Sequence, residues 1–229
     1  MIKVGIIGAT GYAGQQLVWI LNNHKEVEIE FISSYSNAGE NIGEVYANYK
    51  KYFEKKLISQ EEAEENFGKI DVLFLPHGLS EKMTKKALEN NVKVFDLGAD
   101  FRLDDSETYE KWYDVKHEFP EINQSAVYGL PELNRGRIKE SQVVACPGCY
   151  PTSAILGAAP LLKNKVVKTD KIIIDSKSGV SGAGRSAKID TIFTEVNESF
   201  KAYGVLKHRH TPEIKQEMDK LSENDMNVV

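Results

Sequence analysis

Two stretches of the sequence hold side chains that could do covalent chemistry. The first is Val143-Val144-Ala145-Cys146-Pro147-Gly148-Cys149-Tyr150-Pro151-Thr152-Ser153, which carries both cysteines of the chain. Its apolar lead-in reads as a strand, Pro147 and Gly148 as a turn, and Ala154 to Leu162 as a helix. A cysteine between a turn and a helix start has backbone N–H groups and the positive helix end nearby, and both favour thiolate over thiol. Cys149 is therefore the candidate nucleophile. The second stretch is Lys207-His208-Arg209-His210-Thr211-Pro212-Glu213. On an extended segment His208 and His210 point the same way, and either suits the role of acid–base partner to the cysteine. Arg209, or a neighbouring arginine, suits an acidic substrate end.

Cys146 and Cys149 also form a C-x-x-C, the spacing of dithiol redox and metal sites. A redox motif of that kind follows the first strand of a small fold, whereas here a long nucleotide-binding pattern precedes it. A zinc site would want further ligands, so no metal is expected. Cys146 then reads as a bystander, or as an off switch through a disulfide with Cys149. A third candidate is Ser178-Gly179-Val180-Ser181-Gly182-Ala183-Gly184-Arg185-Ser186. Its glycines and serines free N–H groups for a phosphate or carboxylate, and Arg185 and Lys188 add positive charge.

The elements that must position these groups follow from the pattern of the first half. Lys3 to Ile7 is a buried strand running into Gly8-Ala9-Thr10-Gly11-Tyr12-Ala13-Gly14, and a helical pattern follows from Gln15 to Leu21. Strand, glycine turn and helix together make a dinucleotide site: Gly8 allows the tight turn, Gly11 admits a pyrophosphate, and Gly14 lets helix pack on strand. After the second strand, Val27 to Ser34, an NAD site would carry an acid for the ribose hydroxyl. Here Ser33, Ser34 and Ser36 stand there and the next acid is Glu40, which favours NADP. Ile70 to Leu75 and Val92 to Leu97 read as further strands, with a helix from Ser80 to Asn90 between them. Strands alternating with helices imply an α/β, doubly wound parallel sheet. His77, at the C-terminal end of the third strand, is expected near the cofactor. Residues 104–126 read as an ordered excursion in the manner of a lid, Val127 to Arg135 as a segment with a buried tyrosine and a paired glutamate, and Lys171 to Lys177 as a strand.

Composition narrows the function. The 229 residues are 41% hydrophobic and 28% charged, ordinary for a globular protein with a proper core. A net charge of −5 argues against general nucleic-acid binding, and no apolar run approaches a membrane helix. The N-terminal apolar stretch lacks a small-residue cleavage site and reads as a strand, so a cytoplasmic protein is expected.

Taken together, Gly8 to Gly14, Pro76-His77-Gly78, Asp96 to Arg102, Tyr128 to Glu132, Pro147 to Thr152, Ser178 to Arg185 and His208 to Glu213 resemble the N-acetyl-gamma-glutamyl-phosphate reductase family of arginine biosynthesis. The motifs run in family order over the whole chain. The resemblance implies a Rossmann-type NADP-binding domain over residues 1–147 and an α+β catalytic domain of semialdehyde-dehydrogenase type over 148–229. It implies NADPH-dependent reduction of an acyl phosphate to a semialdehyde plus phosphate through a Cys149 thioester, by a homo-oligomer, dimer or tetramer. Reductases of aspartyl or aminoadipyl phosphate are the neighbouring alternative. Mapped onto these motifs, the cofactor contacts are Gly8, Thr10, Gly11, Tyr12, Ala13, Gly14, Pro76, His77, Gly78, Ser181 and Gly182, to which the reading of the second strand's end adds Ser33 and Ser34. The substrate contacts are Arg102, Arg185 and Arg209. The family often has asparagine where Cys146 stands, so Cys146 is not expected to be essential. Family chains are also longer, so an incomplete catalytic domain with exposed apolar faces is expected.

Overall fold

The computed structural model describes residues 1–76 and 80–229, so His77 and Gly78 lie outside the described residues. Among the described residues seven strands form one parallel sheet: β1 (Ile2–Ile6), β2 (Val27–Ser33), β3 (Leu57–Ile58), β4 (Val72–Leu75), β5 (Lys93–Asp96), β6 (Val127–Tyr128) and β7 (Val143–Ala145). Their order is β3-β2-β1-β4-β5-β7-β6. β1 and β4 lie side by side in the interior of the sheet, and the order reverses between them, where a doubly wound sheet opens its ligand crevice.

Helices cover both faces, because a parallel sheet buried on both sides needs apolar cover on each. Val18 of the Tyr12–Asn22 helix packs with Val4, Ile6, Ile29 and Ile32 on one face. Met83 and Ala87 of the Ser80–Glu89 helix pack with Phe31, Leu73, Leu75 and Val94 on the other. Since all seven strands point the same way, the glycine turn after β1, Pro76 after β4, the 97–102 segment after β5 and the cysteine turn after β7 share one edge. Two contacts tie that edge together. The Pro76 ring lies against Gly8, and the Cys146 N–H donates to the Asp96 carbonyl at 2.7 Å.

The 104–126 excursion is packed rather than an open lid. It holds the helices Ser106–Tyr113 and Pro120–Ser125, and Tyr109, Tyr113, His117 and Asn123 are buried beneath it. Its aromatic content explains why: a Tyr109–Tyr113 stack and the edge of His117 fill the space under the 99–103 segment. Tyr128 is buried as expected, but its partner is Glu213 at 2.8 Å, while Glu132 is exposed.

The second unit is smaller. The helix Cys149–Lys163 packs against the helix Thr211–Ser222 through Ala154, Ala158, Leu162, Ile214 and Met218. Strands β8 (Lys171–Ile172) and β9 (Asn227–Val228) pair in parallel beside them. The strand expected over Lys171 to Lys177 shortens to two residues because β9 offers ladder partners only there, with one further bond from the Ile174 N–H to the Val229 carbonyl. Beyond it Ile173, Phe193, Phe200 and Leu206 are each at least 75% exposed, the open apolar surface anticipated for this half. Leu162→Ala should destabilise the chain by about 2–5 kcal/mol in urea unfolding, since it opens a cavity between the two helices that carry the reactive residues.

Candidate active site

The Cys149 turn is built from both units. β7 ends at Ala145, and Pro147-Gly148 turns the chain so that Cys149 becomes the first residue of a 15-residue helix. Pro151 sits in the first helical turn, where its missing N–H has no helical partner to lose. No acid stands in that first turn to oppose a thiolate. Gly148 is required by its neighbour: a Cβ there would overlap the His210 imidazole. Cys149 is exposed.

Behind the turn lies a buried polar cluster. Glu213 is 1% exposed and accepts from the Gly148 N–H at 3.0 Å and from the Tyr128 hydroxyl at 2.8 Å. Arg102, also buried, faces it at 3.5 Å. The same guanidinium donates Nε–H to the Cys146 carbonyl at 2.7 Å and Nη2–H to the Leu97 carbonyl at 3.0 Å. Burial pushes the Glu213 carboxyl up, and Arg102, Gly148 and Tyr128 pull it back. Burial and the Glu213 charge raise Tyr128. Arg102, expected as a substrate contact, thus spends its donors bracing the turn from below. Glu213 was not singled out in the sequence. Its place three residues after His210, inside the first turn of a helix, is the signal that could have found it.

A cleft of about 460 Å³ opens above this cluster. Cys149, His210, Arg209, Arg102, Gly182 and Ala13 all line it. The structure therefore brings the cysteine, one histidine, two arginines and both cofactor-type loops to one place. Among the described residues His208 does not line the cleft. Its ring packs edge-on against Tyr150 and Tyr203, and its Nδ1 accepts from the His210 N–H at 3.2 Å. Burial lowers both histidines, His210 to about 4, helped by the nearby Arg102 and His208. His210 is thus neutral at neutral pH. Arg209 is exposed, with its guanidinium over the Tyr113 ring at 5.4 Å. The Cys146 thiol is pushed up to about 12, first by burial and then by Asp96, which keeps it protonated and unreactive.

The glycine turn fits a dinucleotide. Gly8 has φ +70, a conformation suited to glycine, and a Cβ at Gly14 would strike the Gly8 and Ala9 backbone. Gly11 caps the Tyr12–Asn22 helix without a side-chain cap, and no acid lies in its first turn, so its N–H groups face the crevice ready for a phosphate. Tyr12 opens that helix and is exposed. Thr10 Oγ1 bonds Ser34 Oγ at 2.7 Å, and the Ser33 carbonyl accepts from the Ala9 N–H at 2.9 Å. Ser33 and Ser34 are both buried, which leaves Tyr35 and Ser36 as the exposed residues after β2. Ser181 and Gly182 lie in a short 3-10 turn, Val180–Ala183, and Gly182 reaches the cleft. Arg185 does not line the cleft among the described residues. Its Nη1 donates to the Thr10 carbonyl at 3.2 Å.

Comparison with known proteins agrees with this arrangement. Residues 3–141 match the model of the semialdehyde dehydrogenase NAD binding domain, and residues 149–229 that of the semialdehyde dehydrogenase dimerisation domain. A protein of Clostridium novyi named N-acetyl-gamma-glutamyl-phosphate reductase is 50% identical over 230 residues, covering 100% of this chain and 67% of its own. The chain belongs to the N-acetyl-gamma-glutamyl-phosphate reductase family. Family members from Pelotomaculum thermopropionicum and Campylobacter jejuni are 50% and 48% identical, covering 99% and 95% of this chain and 66% and 63% of their own. The chain spans about two thirds of the length of these relatives. In fold it is similar to aspartate semialdehyde dehydrogenases of Vibrio cholerae (TM-score 0.67, 17% identity, 100% of this chain and 68% of that one) and Candida albicans (TM-score 0.66, 18%, 100% and 66%), the latter solved with NADP.

Two outcomes test the site. His210 has a folded pKa of about 4 against 6.5 for an ordinary histidine, so the unfolded chain binds the extra proton between those values. Its contribution to stability is full above pH 6.5 and is lost as pH falls toward 4, on the order of 2–3 kcal/mol. Unfolding midpoints across that range should fall in the parent and fall less in His210→Gln. Glu213→Ala should cost about 3–5 kcal/mol in the same measurement, because it strands Arg102 as a buried unpaired charge.

Proposed function

We propose that the chain carries the catalytic apparatus for NADPH-dependent reduction of N-acetyl-gamma-glutamyl phosphate to N-acetyl-glutamate 5-semialdehyde and phosphate. The observation that carries this reading is the cleft shared by Cys149, His210, Arg209 and the nucleotide loop at Ala13. It is supported by relatives that bear the reductase's name at about half identity over the full chain.

In this reading Cys149 Sγ attacks the acyl carbonyl, and the bond to the phosphate oxygen breaks, leaving a thioester on the cysteine and free phosphate. Neutral His210 takes the thiol proton as the sulfur attacks. NADPH supplies the hydride that reduces the thioester carbonyl. His210 returns its proton to the oxygen that becomes negative, and backbone N–H groups at the helix start stabilise that charge. His210 takes that proton back as the carbon–sulfur bond cleaves and passes it to the departing sulfur, which releases the semialdehyde and restores the thiol. Arg209 is the exposed cation for the substrate's anionic group, with Arg102 holding the turn from behind. Gly8, Thr10, Gly11, Tyr12, Ala13, Gly14, Pro76 and Gly182 hold the nucleotide, with its phosphates at the start of the Tyr12–Asn22 helix.

We divide the chain at 147/148, on the turn that ends the large sheet. The 149–229 half is the surface through which two copies associate, and the setting is the cytoplasm, where thiols stay reduced. A dithiol role is disfavoured, since a Cys146 thiol pushed up to about 12 is a poor partner in exchange.

The reverse reaction gives the test: phosphate-dependent reduction of NADP by N-acetyl-glutamate semialdehyde, followed at 340 nm. Cys149→Ser should lower the rate at least a thousandfold, and Cys146→Ser should leave it within about threefold of the parent. Near-parental activity in Cys149→Ser ends the covalent reading.

A further inference from the structure

Arg185 makes contacts that neither the family resemblance nor the reaction explains. It belongs to the glycine-serine loop of the second unit, yet it lies against the nucleotide turn of the first. Its Nη1 donates to the Thr10 carbonyl at 3.2 Å, across 175 positions of sequence. Its guanidinium lies over the Tyr46 ring at 4.9 Å, and the Tyr46 hydroxyl donates to that same Thr10 carbonyl at 2.9 Å. Tyr46 follows the short helix Ile42–Val45, beyond β2, so two separate segments converge on the Thr10 carbonyl.

That peptide group identifies which part of a dinucleotide lies nearby. Thr10 is joined through its hydroxyl to Ser34 at the C-terminal end of β2. In a doubly wound sheet the end of the second strand is where the adenosine ribose sits, and the residue there reads its 2′ position. In this chain no Asp or Glu stands between Glu30 and Glu40, and the hydroxyls of Thr10 and Ser34 are occupied with each other. A 2′-phosphate therefore lacks a cation on its own strand. Arg185 supplies one from across the cleft. A guanidinium has five N–H donors, and one of those on Arg185 is bound to Thr10, which leaves the fork for an anion. The ring of Tyr46 fixes its plane.

We propose that Arg185, stacked on Tyr46, is the specificity-determining residue that recognises the 2′-phosphate of NADP. The inference rests on the NADP-dependent reading above and adds its consequence for the loop. Gly182 reaches the cleft at Cys149 while Arg185, three residues on, touches the glycine turn. One loop thus spans the nucleotide from its reactive end to its 2′-phosphate.

The test is a fluorescence titration of the 229-residue chain with NADPH and with NADH, requiring no turnover. Arg185→Ala, an exposed position, should weaken NADPH roughly tenfold or more and leave NADH within about twofold. Arg185→Lys should fall between, since it keeps the charge and loses the fork. Equal weakening of both nucleotides would place the guanidinium on the pyrophosphate and overturn the proposal, as would unchanged NADPH binding in Arg185→Ala. Failure of the parent chain to bind either nucleotide, with its fold intact by circular dichroism, would instead overturn the NADP-dependent reading and this proposal with it.

Discussion

Glu213 sits in the first turn of the Thr211–Ser222 helix, sealed from water, with its two oxygens meeting the Gly148 N–H, the Tyr128 hydroxyl and the Arg102 guanidinium. A carboxylate in such a place would be strongly disfavoured alone. Three partners from three other segments make it tolerable, and the same bonds fix those segments to the helix that carries it. Gly148 immediately precedes Cys149, Tyr128 ends β6, Arg102 lies after β5, and Glu213 brings with it the Thr211–Ser222 helix that His210 caps. Cys149, His210 and the floor of the cleft are therefore held by one polar knot as well as by the apolar core. Apolar packing between the Cys149–Lys163 and Thr211–Ser222 helices sets the distance, and the knot sets the register.

The parallel sheet gives this knot its location. Every strand delivers its C-terminal end to the same edge, so residues far apart in sequence arrive together. The cysteine turn follows β7, the Arg102 segment follows β5, and the glycine turn follows β1, all at the crevice where strand order reverses. The loop 180–185 then crosses from the second unit to the first and closes the arrangement over the nucleotide turn. Although the chain has a net charge of −5, Arg102, Arg209 and helix N-termini gather at this edge, which suits a cofactor that carries several phosphate charges.

The Rossmann-type half was legible because its signals are local. A strand, a glycine turn and a helix in the order of residues 3–21 leave few alternatives, and the alternation continues through Leu97. The Cys149 turn was legible for the same reason. What the sequence did not carry was long-range geometry. His208 and His210 look equivalent as letters; only the docking of the Thr211–Ser222 helix puts one in the cleft and the other among tyrosines. Arg102 and Arg185 both read as anion-binding arginines, yet one is a buried brace and the other touches the nucleotide turn. Glu213 passed unnoticed because a glutamate early in a helix is ordinarily a solvated favourable charge, and its burial depends on β6, which is two residues long. The excursion over 104–126 read as ordered but lid-like, and its buried tyrosines pack it against the 99–103 segment instead.

The central claim is that the acyl group passes through Cys149. Intact-protein mass spectrometry, with the enzyme mixed with N-acetyl-gamma-glutamyl phosphate and NADPH withheld, tests it most directly. The account predicts one N-acetylglutamyl adduct per chain, released by hydroxylamine and mapped by proteolysis to the peptide containing Cys149. An unmodified protein that nonetheless reduces the acyl phosphate once NADPH is added, or an adduct carried by another residue, would contradict it.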